Sequence, residues 1–151
     1  DYWDRLVAND VRILRSWSSA YTAYSNGEAP IVVSYSTDQV YASRSGENLD
    51  EHQVGFLNDQ GYANPEGMAR FADTDKPELA TAFMEFMLSV EAQSRIPVLN
   101  VSFPAVDNAN LPEDFSQYAF EPPETVTHSY DELAANLDTW VEDWARRIAT
   151  K

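Results

Sequence analysis

"GEAPIVVSYSTDQVY", residues 27–41, decides how the chain is read. Gly27 is a natural stop for a preceding helix, and Pro30 stands where a strand can begin without needing its N–H. Ile31, Val32 and Val33 are strand formers, so "PIVVSYS" predicts a strand. Asp38 to Arg44 predicts one or two helical turns. Tyr35 and Tyr41 therefore bracket a strand-to-helix junction, six residues apart. Backbone N–H groups at such a junction face the crevice at the strand's C-terminal end, where an anion can be cradled. Phenol faces can stack on a flat ring and attract a cation through the ring quadrupole.

Reading outward, strands and helices alternate. Tyr2, Trp3, Leu6 and Val7 have helical spacing over residues 2–9, and "VRILRS" predicts a short strand. Ser18 to Asn26 predicts a helix whose Tyr21 and Tyr24 are core. Ser45 to Glu51 is polar and turn-like, "HQVGFLN" predicts a strand, and Met68 to Ala72 another. Asp75 with Glu78 forms a capping pair for a helix striped by Leu79, Ala80, Phe83, Phe86, Met87 and Val90. The last helix opens on the capping pair Ser129 and Glu132 and carries Leu133, Leu137, Trp140, Val141, Trp144 and Ile148 on one stripe. Arg146, Arg147 and Lys151 suit the negative end of its dipole. Between these helices, residues 97–127 hold five prolines, with Phe103, Phe115, Tyr118 and Phe120 as anchors, which predicts an ordered but irregular segment. No internal repeat is present. The pattern gives the α/β class.

Length and composition bound the rest. At 151 residues, 44% of them apolar, the chain can bury a core. No apolar run approaches the ~20 residues that span a bilayer. The chain opens on neither Met nor a leader pattern but on helix-like sequence, so it reads as a mature or trimmed portion of a longer protein. Twenty-five acids against ten bases give a net charge of −15, and only Lys76 and Lys151 are lysines. Nucleic acid is excluded as a partner, because its phosphates would be repelled. Scattered acids with scarce lysine suit molar salt, where the Debye length is only ~3 Å. An ordinary acidic surface is the other reading. The absence of cysteine excludes disulfides and thiol catalysis and removes the thiolate ligands of zinc sites.

Catalytic signals are weak. His52 and His128 lack metal-ligand spacing, and no nucleophile-elbow, zinc-protease, phosphate-loop or dinucleotide motif is present. Carboxylate pairs such as Asp73 with Asp75 or Glu142 with Asp143 are expected at this acidity and read as solvated surface. No cofactor and no metal site is expected. Aromatic chemistry is richer: Trp17, Tyr21, Tyr24, Tyr35 and Tyr41 fall within 25 residues. With the junction's amides they suit a ligand bearing a flat cationic ring at one end and a hydroxyl or phosphate at the other, and core packing is the competing reading.

In order, "YWDRLVANDV", "SWSSAY", "GEAPIVVSYSTDQVY", "KPELATAFMEFMLSVEAQSRIP" and "DTWVEDWARR" resemble the C-terminal half of the thiamine-binding periplasmic proteins of ABC-type uptake systems. The likeness thins over residues 45–75. It implies the C-terminal portion of a two-lobed type-2 periplasmic binding protein fold. Residues 1–60 would belong to the C-terminal lobe, 61–100 would return to the N-terminal lobe, and 101–151 would hold a crossing segment and the final helix of the C-terminal lobe. Most of the N-terminal lobe would be absent, and a companion piece or an oligomer would cover the surfaces so left. The likeness further implies capture of thiamine or a thiamine phosphate outside the membrane, an ABC permease as partner, membrane anchoring of the full-length protein, and no catalysis. By position, Trp17 and Tyr41 would flank the thiamine rings, Tyr35 would line the cleft near the hydroxyl or phosphate end, and Ser36 and Thr37 would supply polar contacts. The family pattern places a Trp after "IP-x-x-N"; here Asn100 is followed by Val101, and Phe103 is the nearest replacement ring. Three alternatives stand beside this reading: a two-lobed protein that binds iron, another metal or a small anion; a thiamine-degrading hydrolase or transferase of the same fold; and an interaction domain without a small ligand.

Overall fold

The computed structural model describes residues 2–149. In chain order its elements are α1 (Tyr2–Ala8), α2 (Trp17–Ser25), α3 (Asp38–Ser45), β1 (Gln60–Tyr62), α4 (Pro77–Met87), α5 (Val90–Gln93), α6 (Ile96–Leu99), α7 (Glu113–Tyr118), β2 (Glu124–Val126) and α8 (Tyr130–Trp144). A turn of π-helix, Ala145–Ala149, continues α8. The chain divides into two compact units: the described residues of Asp1–Ser34 with Thr127–Lys151, and Tyr35–Val126.

Local signals explain the helices of the first unit. Ser16 caps α2 by accepting the Ser19 N–H at 3.2 Å. Gly27 adopts φ 73° beyond its end, and the Gly27 N–H donates to the Tyr24 carbonyl at 2.8 Å. Glycine tolerates this left-handed conformation without a Cβ clash. Tyr21 is buried, as its spacing predicted, and its ring lies 6.1 Å from that of the half-buried Tyr24. Ser129 caps α8 through the Glu132 N–H at 3.2 Å, the pairing expected from the sequence. At the far end, Arg147 donates to Asp143 at 2.8 Å and to Asp4 at 3.2 Å, which ties α1 to the end of α8. Arg147, then Arg146, holds the Asp143 carboxyl below its ordinary range.

The second unit contains the one sheet among the described residues. β1 and β2 pair in parallel, with Gln60 opposite Glu124, Gly61 opposite Thr125 and Tyr62 opposite Val126. The Ala63 N–H extends the ladder to the Val126 carbonyl at 3.2 Å. Gly61 is required there by proximity: a Cβ on it would stand 2.8 Å from both Cβ and Cγ of Pro122. Val40 and Ala42 of α3 are fully buried, and so are Pro97 and Phe115. The amide side chain of Gln93 donates to the Met87 carbonyl at 2.7 Å and accepts the Ala105 N–H at 2.6 Å, joining α5 to the irregular segment.

Helix and strand are both present, but the strands are not those the pattern predicted. None of "VRILRS", "PIVVSYS", "HQVGFLN" or Met68–Ala72 forms a strand, and the ladder falls on β1 and β2, which carried no strand signal. Strand propensity describes fitness for a pleated, half-buried surface and needs a partner chain. Ile31 and Val33 are 79% and 94% exposed, with no neighbouring strand among the described residues. The capping reading at Asp75 and Glu78 is also corrected. The cap position is Lys76, whose N–H donates to the Thr74 hydroxyl at 3.3 Å, and Pro77 opens the helix. Val90 lies in the separate α5, after Ser89 has begun a new cap. The 97–127 segment is less irregular than expected, since it contains α7 and β2.

Amphipathic stripes on α4 and α8 are left open. Neither helix buries a residue fully, and Leu79, Phe83, Phe86, Leu137 and Val141 are all exposed. The accessible surface is 11,724 Å². Two separate compact bodies of the same total mass would expose only ~9,300 Å².

Gly61→Ala should destabilise the protein by about 1–3 kcal/mol through overpacking against Pro122. Urea unfolding checks this, and Gly67→Ala, whose added methyl would meet no atom within 4 Å, serves as the unaffected control.

Candidate functional site

Trp17 belongs to the first unit and Tyr35, Ser36, Thr37 and Tyr41 to the second. Trp17 is the first residue of α2. Its indole N–H donates to the Ser34 hydroxyl at 2.5 Å, and its ring centroid lies 5.0 Å from that of Tyr21. The bond fixes the ring plane while leaving the residue half-buried. Ser34 carries no signal of this in the sequence, and only the fold shows that it orients the indole.

Tyr35 is 60% exposed and Tyr41 41% exposed, so neither ring is core. Tyr35 precedes α3 and Tyr41 sits within it, beside the buried Val40 and Ala42. Burial of those two residues seats the helix and leaves Tyr41 on its outer side. Ser36 is half-buried, and its carbonyl accepts the Phe120 N–H at 3.1 Å. Thr37 is buried and occupies the cap position of α3 without a capping bond from its side chain. The amides of the predicted anion cradle are partly used by the chain itself. The Asp38 N–H donates to the Tyr35 carbonyl at 3.1 Å, and the Val40 N–H to the Thr37 carbonyl at 3.0 Å.

A second group follows α6. The Asn100 side-chain amide donates to the Ser102 hydroxyl at 3.1 Å, and that hydroxyl donates to the Asn100 carbonyl at 3.2 Å. Between them Val101 takes φ 52°, a left-handed conformation that is uncommon for a β-branched residue. Such a conformation costs on the order of 1–3 kcal/mol and persists only where neighbours enforce it. Phe103 is 40% exposed and meets the buried Phe115 edge-on, with centroids 5.2 Å apart.

One guanidinium connects the two groups within this unit. Arg44, at the end of α3, donates from Nε and Nη2 to the two carboxylate oxygens of Asp114 at 2.6 and 3.2 Å. Its Nη1 donates to the Pro97 and Val98 carbonyls at 2.9 and 3.1 Å. The Arg44 hydrogen bond is the main reason the Asp114 carboxyl lies below its ordinary range. No sequence signal pointed to this pair, because the partners are 70 residues apart and charged residues are frequent on the surface. His52, in the turn after α3, sits with Nε2 at 2.7 Å from Glu47 and Nδ1 at 3.1 Å from the Asn48 carbonyl. His128 lies 3.0 Å from Glu132 and packs its ring on Trp140. Both histidines are thus engaged locally. Among the described residues no group of three or more His, Asp or Glu side chains could hold a metal, and no helix is long and apolar enough to cross a membrane.

Residues 1–122 match the family described as bacterial extracellular solute-binding protein. The thiamine-binding periplasmic protein of Escherichia coli (strain K12) is 32% identical over 147 residues, 97% of this chain and 44% of that protein. The protein of the same name from Brucella abortus is 31% identical over 143 residues, 94% of this chain and 42% of the relative. The one from Haemophilus influenzae is 26% identical over 142 residues. The chain therefore spans less than half the length of the curated relatives it matches. No solved structure matches it.

The lowered Asp114 carboxyl has a direct pH consequence. The folded state holds the proton less tightly than the unfolded chain, whose carboxyl keeps the ordinary value of 3.8. The stabilisation is present above that value and is lost as pH falls through the lower folded value. With about a third of the Asp114 side chain exposed, the pair contributes no more than ~1 kcal/mol. Urea titrations at pH 6 and pH 3 should show a smaller acid loss for Asp114→Asn than for the unmodified chain.

Proposed function

The chain belongs to the bacterial extracellular solute-binding protein family, and from that membership we propose that it is the binding component of an ABC importer that captures thiamine or a thiamine phosphate outside the membrane. The observation that carries the reading is likeness over 97% of the chain to a protein named for thiamine binding. Exposed phenols at positions 35 and 41 support it, since rings destined for the core would be covered. Thiamine pairs a pyrimidine with a permanently cationic thiazolium and ends in a hydroxyl. Trp17, Tyr35 and Tyr41 each contribute a ring to it. Stacking and cation–π contact supply the attraction, the latter about 0.5–2 kcal/mol according to how far the site is desolvated. Ser36 and Thr37 make polar contacts near the hydroxyl or phosphate. Asn100, Val101 and Phe103 form a second contact group, with Phe103 in place of the family's Trp. Related family proteins are binding proteins rather than enzymes, which suits a role without catalysis.

The full-length protein, on this reading, has the two-lobed type-2 architecture and is anchored at the membrane near its permease. Residues 1–60 belong to the C-terminal lobe, 61–100 return to the N-terminal lobe, and 101–151 supply the crossing segment and last helix. The N-terminal half, absent from this chain, covers the open stripe of α4. Two features support this: a surface excess of roughly 2,400 Å² over the ~9,300 Å² of compact bodies, within the range of obligate interfaces, and the chain's covering 44% of its relative. A surface of net charge −15 with two lysines is further proposed to suit high salt.

Two measurements test these points. In calorimetry on the full-length protein, thiamine and thiamine phosphate should bind and an uncharged pyrimidine should bind more weakly; equal affinity would remove the cation–π argument. Tyr41→Ala should weaken thiamine binding by about 1–3 kcal/mol. Light scattering on the 151-residue chain should show association, and a monodisperse monomer would contradict the proposed need for a covering half.

A further inference from the structure

We propose that Arg44 and Asp114 are a positioning pair for ligand binding, acting through Tyr41 and the Asn100–Phe103 turn without touching the ligand. The proposal rests on the reading of Tyr41 as a ligand contact. Its ground is geometric. α3 has only eight residues, and a helix that short is marginal without tertiary support. What holds α3 therefore contributes to fixing the direction of Tyr41. One support is the burial of Val40 and Ala42. A second is the Phe120 N–H on the Ser36 carbonyl, two residues before the helix begins. The third is the Arg44 fork at the opposite end.

Arg44 stands three residues after Tyr41, so the two side chains are neighbours on the helix surface. Its planar fork engages both oxygens of Asp114, which fixes orientation as well as distance. The remaining terminal nitrogen holds the Pro97 and Val98 carbonyls, immediately ahead of the strained Val101. A single guanidinium therefore sets the spacing between the helix that carries Tyr41 and the turn that carries Asn100, Val101 and Phe103. Lysine would keep the charge but could reproduce neither the bidentate pair nor the simultaneous grip on two carbonyls.

The experiment is a double-mutant cycle in the full-length protein, with thiamine affinity as the readout: unmodified, Arg44→Lys, Tyr41→Ala and the double variant. Arg44→Lys alone should lower affinity about fivefold or more, and in the Tyr41→Ala background its effect should shrink to less than about twofold. A residue that merely stabilises the fold would give equal effects in both backgrounds, and that result overturns the proposal. Unchanged affinity in Arg44→Lys, with Tyr41→Ala still weakened, overturns the positioning pair and leaves the ligand reading intact. Failure of the unmodified full-length protein to bind thiamine overturns both. A ligand-free measurement guards against loss of folding in Arg44→Lys. In Asp114→Asn, labelled with ring-¹³C tyrosine, the Tyr41 resonance should shift or broaden while that of Tyr2 stays in place; an unmoved Tyr41 resonance rejects the proposal.

Discussion

The second unit depends on a three-residue parallel ladder between β1 and β2, whose paired residues lie 64 positions apart. A ladder this short cannot secure an independent sheet. It is reinforced by the close seat of Gly61 on Pro122 and by the Arg44 fork to Asp114. Together these contacts bring the segment around α3 and the segment around α7 into one body. The exposed rings of Tyr35 and Tyr41 inherit their positions from that arrangement, since the short α3 has little rigidity of its own.

Charge and exposed apolar surface coexist on the chain. Net charge of −15 would drive like chains apart in dilute buffer, while the open stripes of α4 and α8 would draw apolar surfaces together. Surface ion pairs such as Arg12 with Glu28 at 3.1 Å contribute little to either tendency. A covering partner would relieve the exposure, and screening by salt would relieve the repulsion.

Trp17 and Tyr41 illustrate two ways of fixing an aromatic contact. Trp17 is held by its own polar atom, through Ser34, and by ring contact with Tyr21. Tyr41 is held through its backbone, by the helix that Val40, Ala42 and Arg44 anchor. In the first case the orienting residue touches the ring's own polar atom; in the second it lies three positions along the helix. Val101 represents a further case, in which the backbone itself is held in an uncommon conformation between two mutually bonded neighbours.

The helices with strong local signals are legible in the residue order. Gly27 and Ser129 mark helix ends, and the apolar spacing of α2, α4 and α8 locates their bodies, while the Ser16 cap of α2 emerged only from the structure. Motifs spread along nearly the whole chain carry the family as well, and that resemblance, where composition favoured core packing for most of the rings, marks Tyr35 and Tyr41 as rings that need not be core. The strands, by contrast, were settled by long-range pairing. "PIVVSYS" had the composition but no partner, whereas Gln60–Tyr62 had weak propensity and found Glu124–Val126. Packing also determined that Arg44 meets Asp114 and that Ser34 meets Trp17. Helix caps and periodicity are satisfied within a few residues of chain, so they are written locally. A ladder or a salt bridge needs a second segment, and nothing in the first says where in the chain that segment lies.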